Sequence, residues 1–261
     1  MVLSRASGGS QANFPCSSLE SLSNVLWFST GMRPERGGVG GSCNMGTLRR
    51  LGLAALLLFW PIPGDGAGSP ERQKLSFQQG IAGYSGTVDT EIWLLAVNTV
   101  MESNPNASSD ADNDGGESQV LMRFDDIIGP ESSRIPRGST VHSAKLLVSA
   151  FDEGNTVNLH RMLVPFGRAP TWNSLVSGVS ADGLEASRHK DSFTFGKIAA
   201  NSSEIIFEVT DTVQAWASGE ANHGWVFLNT GGNGWDFYTS EFENVAQRPK
   251  LVVEFTPPTS R

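Results

Sequence analysis

The stretch that decides the fold is Ala144-Lys-Leu-Leu-Val-Ser-Ala150, in which alanine, leucine and valine occupy every second position. Successive side chains of a β-strand point to opposite faces of a sheet, so a period of two indicates a strand with one buried face. The same alternation recurs in residues 120–124 and 157–162. Further strand-like segments are residues 75–79, 90–95, 192–198, 204–209, 224–229, 235–239 and 250–256.

About ten short strands without a long helical segment predict an all-β fold, and two packed antiparallel sheets are favoured over any α/β arrangement. One short helix is predicted over residues 212–218. Asp211 is the expected N-cap, Gln214 occupies the place of a capping-box partner, and Gly219 ends the helix. The sequence therefore predicts an antiparallel β-sandwich closed at one end by this helix.

Composition narrows the possible partners. The 261 residues carry a formal net charge of −8, which argues against nucleic-acid binding because phosphates require a surface of lysine and arginine. Acidity is compatible with binding a cation. Both cysteines, Cys16 and Cys43, lie near the start without a His or Cys partner at metal-ligand spacing. The chain after Met45 contains no cysteine and must be stable without disulfides.

The N-terminal region has the features of an export signal. Arg49 and Arg50 precede an apolar run over residues 51–60, and small residues follow a proline-rich break. This arrangement predicts a secretory signal peptide over residues 45–68 and a secreted, cell-surface or periplasmic protein. Residues 1–44 are interpreted as the product of a start codon assigned too early, with a disordered extension as the alternative. The remainder, 69–261, is predicted to form one domain.

An acidic segment, Asp110-Ala-Asp-Asn-Asp-Gly-Gly-Glu117, stands out from its surroundings. Alternating carboxylates followed by glycine resemble the start of an EF-hand loop, but Leu121 occupies the position of the final glutamate and the flanks are strand-like. An EF-hand is excluded, whereas a Ca²⁺ site of another geometry is predicted. Its ligands are Asp110, Asp112 and Asp114 with Glu117 or Asp89, and the alternative is a solvated acidic turn.

Several stretches together resemble a known family. They are residues 86–90, 112–125, 135–146, 159–166, 171–174, 209–217, 234–241 and 248–251. In order and over nearly all of residues 75–257, they are similar to the DNRLRE domain, also classed with carbohydrate-binding modules of the family 96 type. The resemblance implies a jelly-roll-like β-sandwich of secreted bacterial proteins. It also implies binding of alginate-like acidic polysaccharides in some members, and a frequent place beside phosphoesterase or polysaccharide-degrading domains.

Sequence motifs for catalysis are weak. None of the four histidines lies in a metalloprotease or nucleophile-elbow motif, and His160 is interpreted as a partly buried, hydrogen-bonded residue. Asp236 and Glu241 could supply a carboxylate pair for glycoside hydrolysis, but sequence gives no separation between them. We therefore expect a domain without enzymatic activity.

The candidate ligand-binding residues fall into two groups. Trp235, Asp236 and Tyr238 follow a glycine-rich turn, and flat aromatic side chains stack on sugar faces. The alternative is ordinary strand alternation, with Trp235 buried and Asp236 and Tyr238 outward. Arg123 and Arg161 could hold the carboxylates of uronic acids, or could simply cover apolar neighbours.

These observations predict a secreted, non-catalytic carbohydrate-binding or adhesion module stabilised by calcium. The alternatives are a structural domain of the cell envelope or matrix without glycan affinity, and an accessory domain of a hydrolase or phosphoesterase system. The sequence leaves the oligomeric state open.

Overall fold

Antiparallel strands dominate the computed structural model, which describes residues 71–200 and 202–259. The predicted signal peptide and residues 1–44 lie outside these ranges. The strands are β1 (Gln73–Gln78), β2 (Thr87–Trp93), β3 (Asn106–Asn113), β4 (Gly116–Phe124), β5 (Thr140–Asp152), β6 (Val157–Met162), β7 (Ala186–Thr194), β8 (Glu204–Glu208), β9 (Trp225–Asn229), β10 (Trp235–Tyr238) and β11 (Lys250–Thr256). Short 3₁₀ turns occupy Leu94–Ala96, Asn173–Leu175 and Val245–Gln247.

Hydrogen-bonded pairing arranges nine of the strands in two groups, and the two remaining strands, β3 and β10, connect these groups. The first group has the order β1-β11-β5-β8, and the second has the order β2-β4-β9-β6-β7. β3 pairs with β4 at one end and with β10 at the other, and β10 also pairs with the end of β5. β10 and β3 therefore join the two groups into one curled antiparallel arrangement.

The main hydrophobic core lies on the inner faces of these strands. Phe227 of β9 is fully buried and contacts the rings of Phe207, Trp235 and Phe237 at centroid separations of 5.2 to 6.4 Å. The alternating residues Ala144, Leu146, Val148 and Ala150 of β5 belong to the same core. This places the decisive stretch of the sequence at the centre of the predicted all-β sandwich, and the fold prediction is confirmed.

A second hydrophobic cluster covers the opposite face of β4. Val120 and Met122 point into the main core, whereas Leu121 packs with Trp172 and Phe166 from the segment between β6 and β7. Since both faces of β4 are buried, its apolar residues form a continuous run rather than a strict alternation.

The single α-helix of the described residues, α1 (Thr210–Ala217), begins earlier than predicted. Val209 occupies the N-cap and no side chain caps the helix, so Asp211 lies inside the first turn. Gln214 makes no capping box. Its side chain instead accepts a hydrogen bond from the Val141 backbone and donates to the Ser139 carbonyl. The predicted cap was wrong, and the Gln214 side chain contacts β5 instead of the helix N-terminus. No helix among these residues is long and apolar enough to cross a membrane.

The central position of Phe227 gives a first prediction. Replacing Phe227 with alanine removes its contacts with three aromatic rings and leaves a cavity, so we expect a loss of about 3–5 kcal/mol in the free energy of unfolding, measured by urea titration. Phe195→Ala is the matched control, because Phe195 is 75% exposed and its removal should change stability by less than about 0.5 kcal/mol. Equal losses in the two variants would contradict the assigned core.

Candidate functional site

The acidic segment predicted as a calcium loop is a β-hairpin. Residues 110–113 end β3 and Gly116 begins β4, with Asp114 and Gly115 as a two-residue turn. Both turn residues have positive φ, 54° and 90°, as a type I′ turn requires. The Asp-Gly pair between two strands was the sequence signal for this hairpin, and an acidic turn was the alternative that the sequence left open.

Three of the predicted calcium ligands form contacts with different residues rather than facing one common site. Asp110 accepts a hydrogen bond from the backbone of Asp112 at 2.9 Å, and Glu117 accepts one from Gln119 at 2.8 Å. Asp89 lies on β2 and contacts Ser240. Within residues 71–200 and 202–259, no three His, Cys, Asp or Glu side chains are grouped as a metal ion requires. Calcium binding stays a prediction.

β10 follows the alternation that the sequence left open. Trp235 and Phe237 are fully buried in the main core, whereas Asp236 and Tyr238 face outward and are half-buried. Trp235 is therefore wrong as a ligand-binding residue, because its indole packs against Phe207 and Phe237. Asp236 and Tyr238 stay candidates.

The ring of Tyr238 contacts two further aromatic rings, those of Phe151 and Phe242, and we call these three side chains the aromatic row. The Tyr238 ring stacks on Phe242 with centroids 3.8 Å apart and an interplanar angle of 16°. Phe151, at the end of β5, has its ring centroid 4.7 Å from that of Tyr238, with the two rings tilted by 33°. Phe151 is 42% exposed, whereas Tyr238 and Phe242 are half-buried, so Phe151 offers the most exposed ring of the three.

Carboxylates accompany the aromatic row. Asp236 pairs across the sheet with Ser108 of β3 and Asp152 of β5. Burial raises the pKa of Asp236, and the negative charges of Asp152 and Asp110 raise it further against the opposing hydrogen bond of Ser108. Its Oδ1 atom is shielded from solvent and has no hydrogen-bond partner among the described residues.

A second polar feature is a cavity of about 320 Å³, which we call the Asp89 pocket. The buried residues Thr87, Asp89 and Ser240 contribute to its wall. Charged side chains complete it: Glu102, Glu241 and Arg168. The Ser240 backbone donates to Asp89 Oδ2 at 2.9 Å, and the Ser240 hydroxyl donates to Oδ1 at 2.9 Å. These bonds fix the turn that connects β10 to Phe242.

Asp89 is inside because of its strand register. It pairs with Met122 of β4, and paired residues point to the same face of a sheet, so Asp89 faces the main core. Glu91 pairs with Val120 in the same way, and its carboxylate accepts a hydrogen bond from the Ser108 backbone at 2.9 Å. Burial raises the pKa of both carboxyl groups to about 7, against the lowering effect of these hydrogen bonds.

Arg123 and Arg161, the two arginines predicted to hold uronic acids, are each engaged in an ion pair. Arg123 lies over the ring of Phe166 and is paired with Asp125, while Arg161 forms an ion pair with Glu220 at 3.1 Å. Arg161 also lines a cavity of about 530 Å³ between β7 and α1. Positive and negative side chains are mixed there, which gives that cavity no clear preference for an anion.

His160 is a structural residue as predicted, whereas two residues of the aromatic row were not predicted. His160 is buried, and its Nδ1 lies 2.8 Å from the Ser187 carbonyl oxygen, as expected for a hydrogen-bonded structural residue. Phe151 and Phe242 were not predicted. The alternation that buries Ala150 was the signal for an outward Phe151, whereas no sequence pattern indicated that Phe242 stacks on Tyr238.

Comparisons with known proteins add no relationship. No protein-family model matches the chain, and no curated protein matches it.

The buried carboxylates give a prediction about pH. The pKa of Asp89 is raised from its ordinary value of 3.8 to about 7, so between these values the folded protein keeps a proton that the unfolded chain releases. Stability therefore falls as pH rises from about 4 to about 7, because the unfolded state binds fewer protons than the folded state over this range. We expect Asp89→Asn to remove a clear part of this dependence, measured by thermal unfolding across this pH range, while Glu91 and Asp236, whose pKa values are also raised, cause much of what remains.

The control for this experiment is Glu243→Gln, which changes an exposed carboxylate elsewhere. It should keep the pH dependence of the unmodified chain. If Asp89→Asn also keeps it unchanged, Asp89 is not the group that titrates.

Proposed function

We propose that residues 71–259 form a non-catalytic carbohydrate-binding module of an exported protein. The observation that carries this proposal is the aromatic row of Phe151, Tyr238 and Phe242 on the outer surface, with Asp236 and Asp152 beside it. Binding sites for small ligands combine aromatic surface with a few placed polar groups, and this surface has both.

The chemistry of a sugar fits such a surface. One face of a pyranose ring presents C–H groups, which pack favourably on the flat face of an aromatic side chain. Its hydroxyl groups lie around the rim and donate hydrogen bonds to carboxylate oxygens. Phe151 offers the largest exposed aromatic face of the row, and Asp152 is exposed next to it in the chain.

The position of the row supports recognition by a rigid surface. Tyr238 belongs to β10, which is held between β3 and β5, and Phe242 is fixed through the turn that Asp89 anchors. Side chains held in place before a ligand arrives lose little conformational entropy on binding, which favours affinity.

The resemblance to the DNRLRE domain supports the same function and adds the class of protein. It suggests a secreted bacterial module, in agreement with the predicted signal peptide. It also suggests alginate-like polysaccharides as ligands. A structural domain of the envelope or matrix and an accessory domain of a hydrolase or phosphoesterase system are the alternatives. A sandwich fold alone does not distinguish them.

A retention assay tests the proposal. We expect the chain to be retained on at least one of insoluble cellulose, chitosan, pectin and alginate. Phe151→Ala and Phe242→Ala should each weaken this retention by roughly tenfold, since each removes stacking surface. Phe195→Ala is the matched control, because it removes an equally large and more exposed phenylalanine that lies outside the aromatic row.

Three outcomes would contradict parts of the proposal. Retention on no polymer would favour the structural domain. An equal effect of Phe195→Ala would indicate unspecific apolar adsorption. Release of reducing ends or phosphate by the purified chain would show that the domain is not merely a binding module.

Calcium binding at Asp110, Asp112 and Asp114 is a separate prediction of the sequence. An ion that binds the folded state raises the melting temperature by mass action. We therefore expect calcium to raise the melting temperature of chelator-treated protein and Asp112→Asn to reduce this rise. An unchanged melting temperature after calcium addition would contradict the calcium site.

A further inference from the structure

The cavity of about 530 Å³ lies where β7, the end of β8 and the start of α1 meet, and we call it the β7–α1 cavity. β7 and β8 are neighbours here, and the Ser192 hydroxyl accepts a hydrogen bond from the Glu208 backbone at 3.1 Å. Each strand forms its ladder on the other side, β7 with β6 and β8 with β5. The cavity therefore lies at the seam between the two groups of strands, and the three side chains of the aromatic row do not contribute to its wall.

A β-bulge in β7 brings Asp191 to this cavity. Ser192 pairs with Leu159 of β6 and Lys190 pairs with His160, so Asp191 is an extra residue without a partner on β6. Bulges change the direction of a side chain and are frequent beside functional sites. Asp191 is half-buried and belongs to the cavity wall. The irregular pairing of β7 thus places a carboxylate at the cavity.

Two buried donors hold this carboxylate in place. Trp225 is fully buried, and its indole Nε1 donates to Asp191 Oδ2 at 2.8 Å. Thr212 is 2% exposed, and its hydroxyl donates to the same oxygen. Because both bonds end on Oδ2, Oδ1 keeps its capacity to accept hydrogen bonds from a ligand. A carboxylate held by buried partners loses little conformational freedom when a ligand binds.

Two hydroxyl groups in the cavity wall, those of Ser187 and Thr210, offer donors beside this acceptor. The Thr210 hydroxyl accepts a hydrogen bond from the Ala144 backbone at 3.0 Å, and the Ser187 hydroxyl accepts one from the His189 backbone at 3.2 Å. Since a hydroxyl group carries a proton as well as lone pairs, both can still donate to a ligand. Donors next to a fixed acceptor suit ligand hydroxyl groups, which themselves donate and accept.

The charges of the wall favour an uncharged ligand. Arg161 is paired with Glu220 at 3.1 Å, and Glu208 is paired with Lys145 at 3.2 Å. The other charged residues of the wall are of both signs: Lys190, Asp191 and Asp211. A ligand with a net charge meets a like charge in this wall, which opposes its binding, whereas a neutral ligand does not.

We propose that the β7–α1 cavity binds one uncharged sugar unit, with Asp191 accepting hydrogen bonds from its hydroxyl groups and Ser187 and Thr210 donating to them. The cavity volume lies within the range of small-molecule sites. This inference takes the class of ligand from the proposed carbohydrate-binding function, on which it rests, and adds a second site that is separate from the aromatic row.

A nuclear magnetic resonance titration of the full chain with glucose, galactose and mannose tests the inference. The indole N–H of Trp225 is the local probe, because it is bonded to Asp191. We expect at least one of these neutral hexoses to shift its signal in a saturable way. The indole signal of Trp235, which is fully buried in the main core, should stay unchanged. Glucuronate and glucosamine, of similar size but charged, should bind at least about threefold more weakly.

Two variants assign the binding to the cavity. Asp191→Asn keeps the shape of the side chain and removes its charge, so it should weaken the preferred hexose by about tenfold. Ser187→Ala removes one donor and should weaken it by roughly threefold. The matched control is Asp182→Asn, which changes an exposed carboxylate outside the cavity and should leave the affinity unchanged. Melting temperatures close to that of the unmodified chain will establish that each variant is folded.

Several outcomes would overturn the inference: no saturable shift with any of the three hexoses, an equal shift of the Trp235 signal, tighter binding of a charged sugar, or unchanged affinity in both cavity variants. Retention on the insoluble polymers tests the aromatic row separately, and Asp191→Asn should not change it. Polymer retention without hexose binding would therefore overturn this inference and leave the proposed function intact. Hexose binding without polymer retention would contradict the role of the aromatic row alone.

Discussion

The structure depends on the position of β10 between β3 and β5. This strand has only four residues, yet it joins the two groups of strands and places its side chains by simple alternation. Trp235 and Phe237 complete the main core, and Asp236 and Tyr238 therefore have to face outward. The same backbone pairing that closes the fold thus creates the outer surface with its aromatic row. A change in the backbone of β10 therefore affects both the core and the candidate site.

The buried carboxyl groups of Asp89 and Glu91 affect the stability of the fold, and Asp89 also positions part of the candidate site. Two carboxyl groups on the core-facing side of β2 oppose folding when they are charged, because burial in a medium of low polarity disfavours the ionised form. Asp89 is retained in a place where its hydrogen bonds order Ser240 and the turn leading to Phe242. Natural proteins commonly carry such locally unfavourable groups where they position a site rather than where they fill a core.

The fold could be predicted further than the site. The alternation of buried and outward side chains in β5 and β10 depends only on the pleat of each strand, so it can be predicted from the sequence. β3 was missed because its inward positions hold Ala107 and Ser109, which give no apolar period. The burial of Asp89 follows from its pairing with Met122, and the contact of Phe151 with Tyr238 follows from the pairing of β5 with β10. These contacts join residues far apart in the chain, which no local pattern encodes.

The pairing of β1 with β11 has a consequence for how the chain acquires its structure. Gln73 lies opposite Phe255, so the first described strand is completed only by the last one. Contacts between such distant segments slow folding because a long loop must close before they form. During synthesis, β1 has to wait without its partner until nearly all of the domain has been made. The unpaired edge of β1 is exposed to aggregation during that interval.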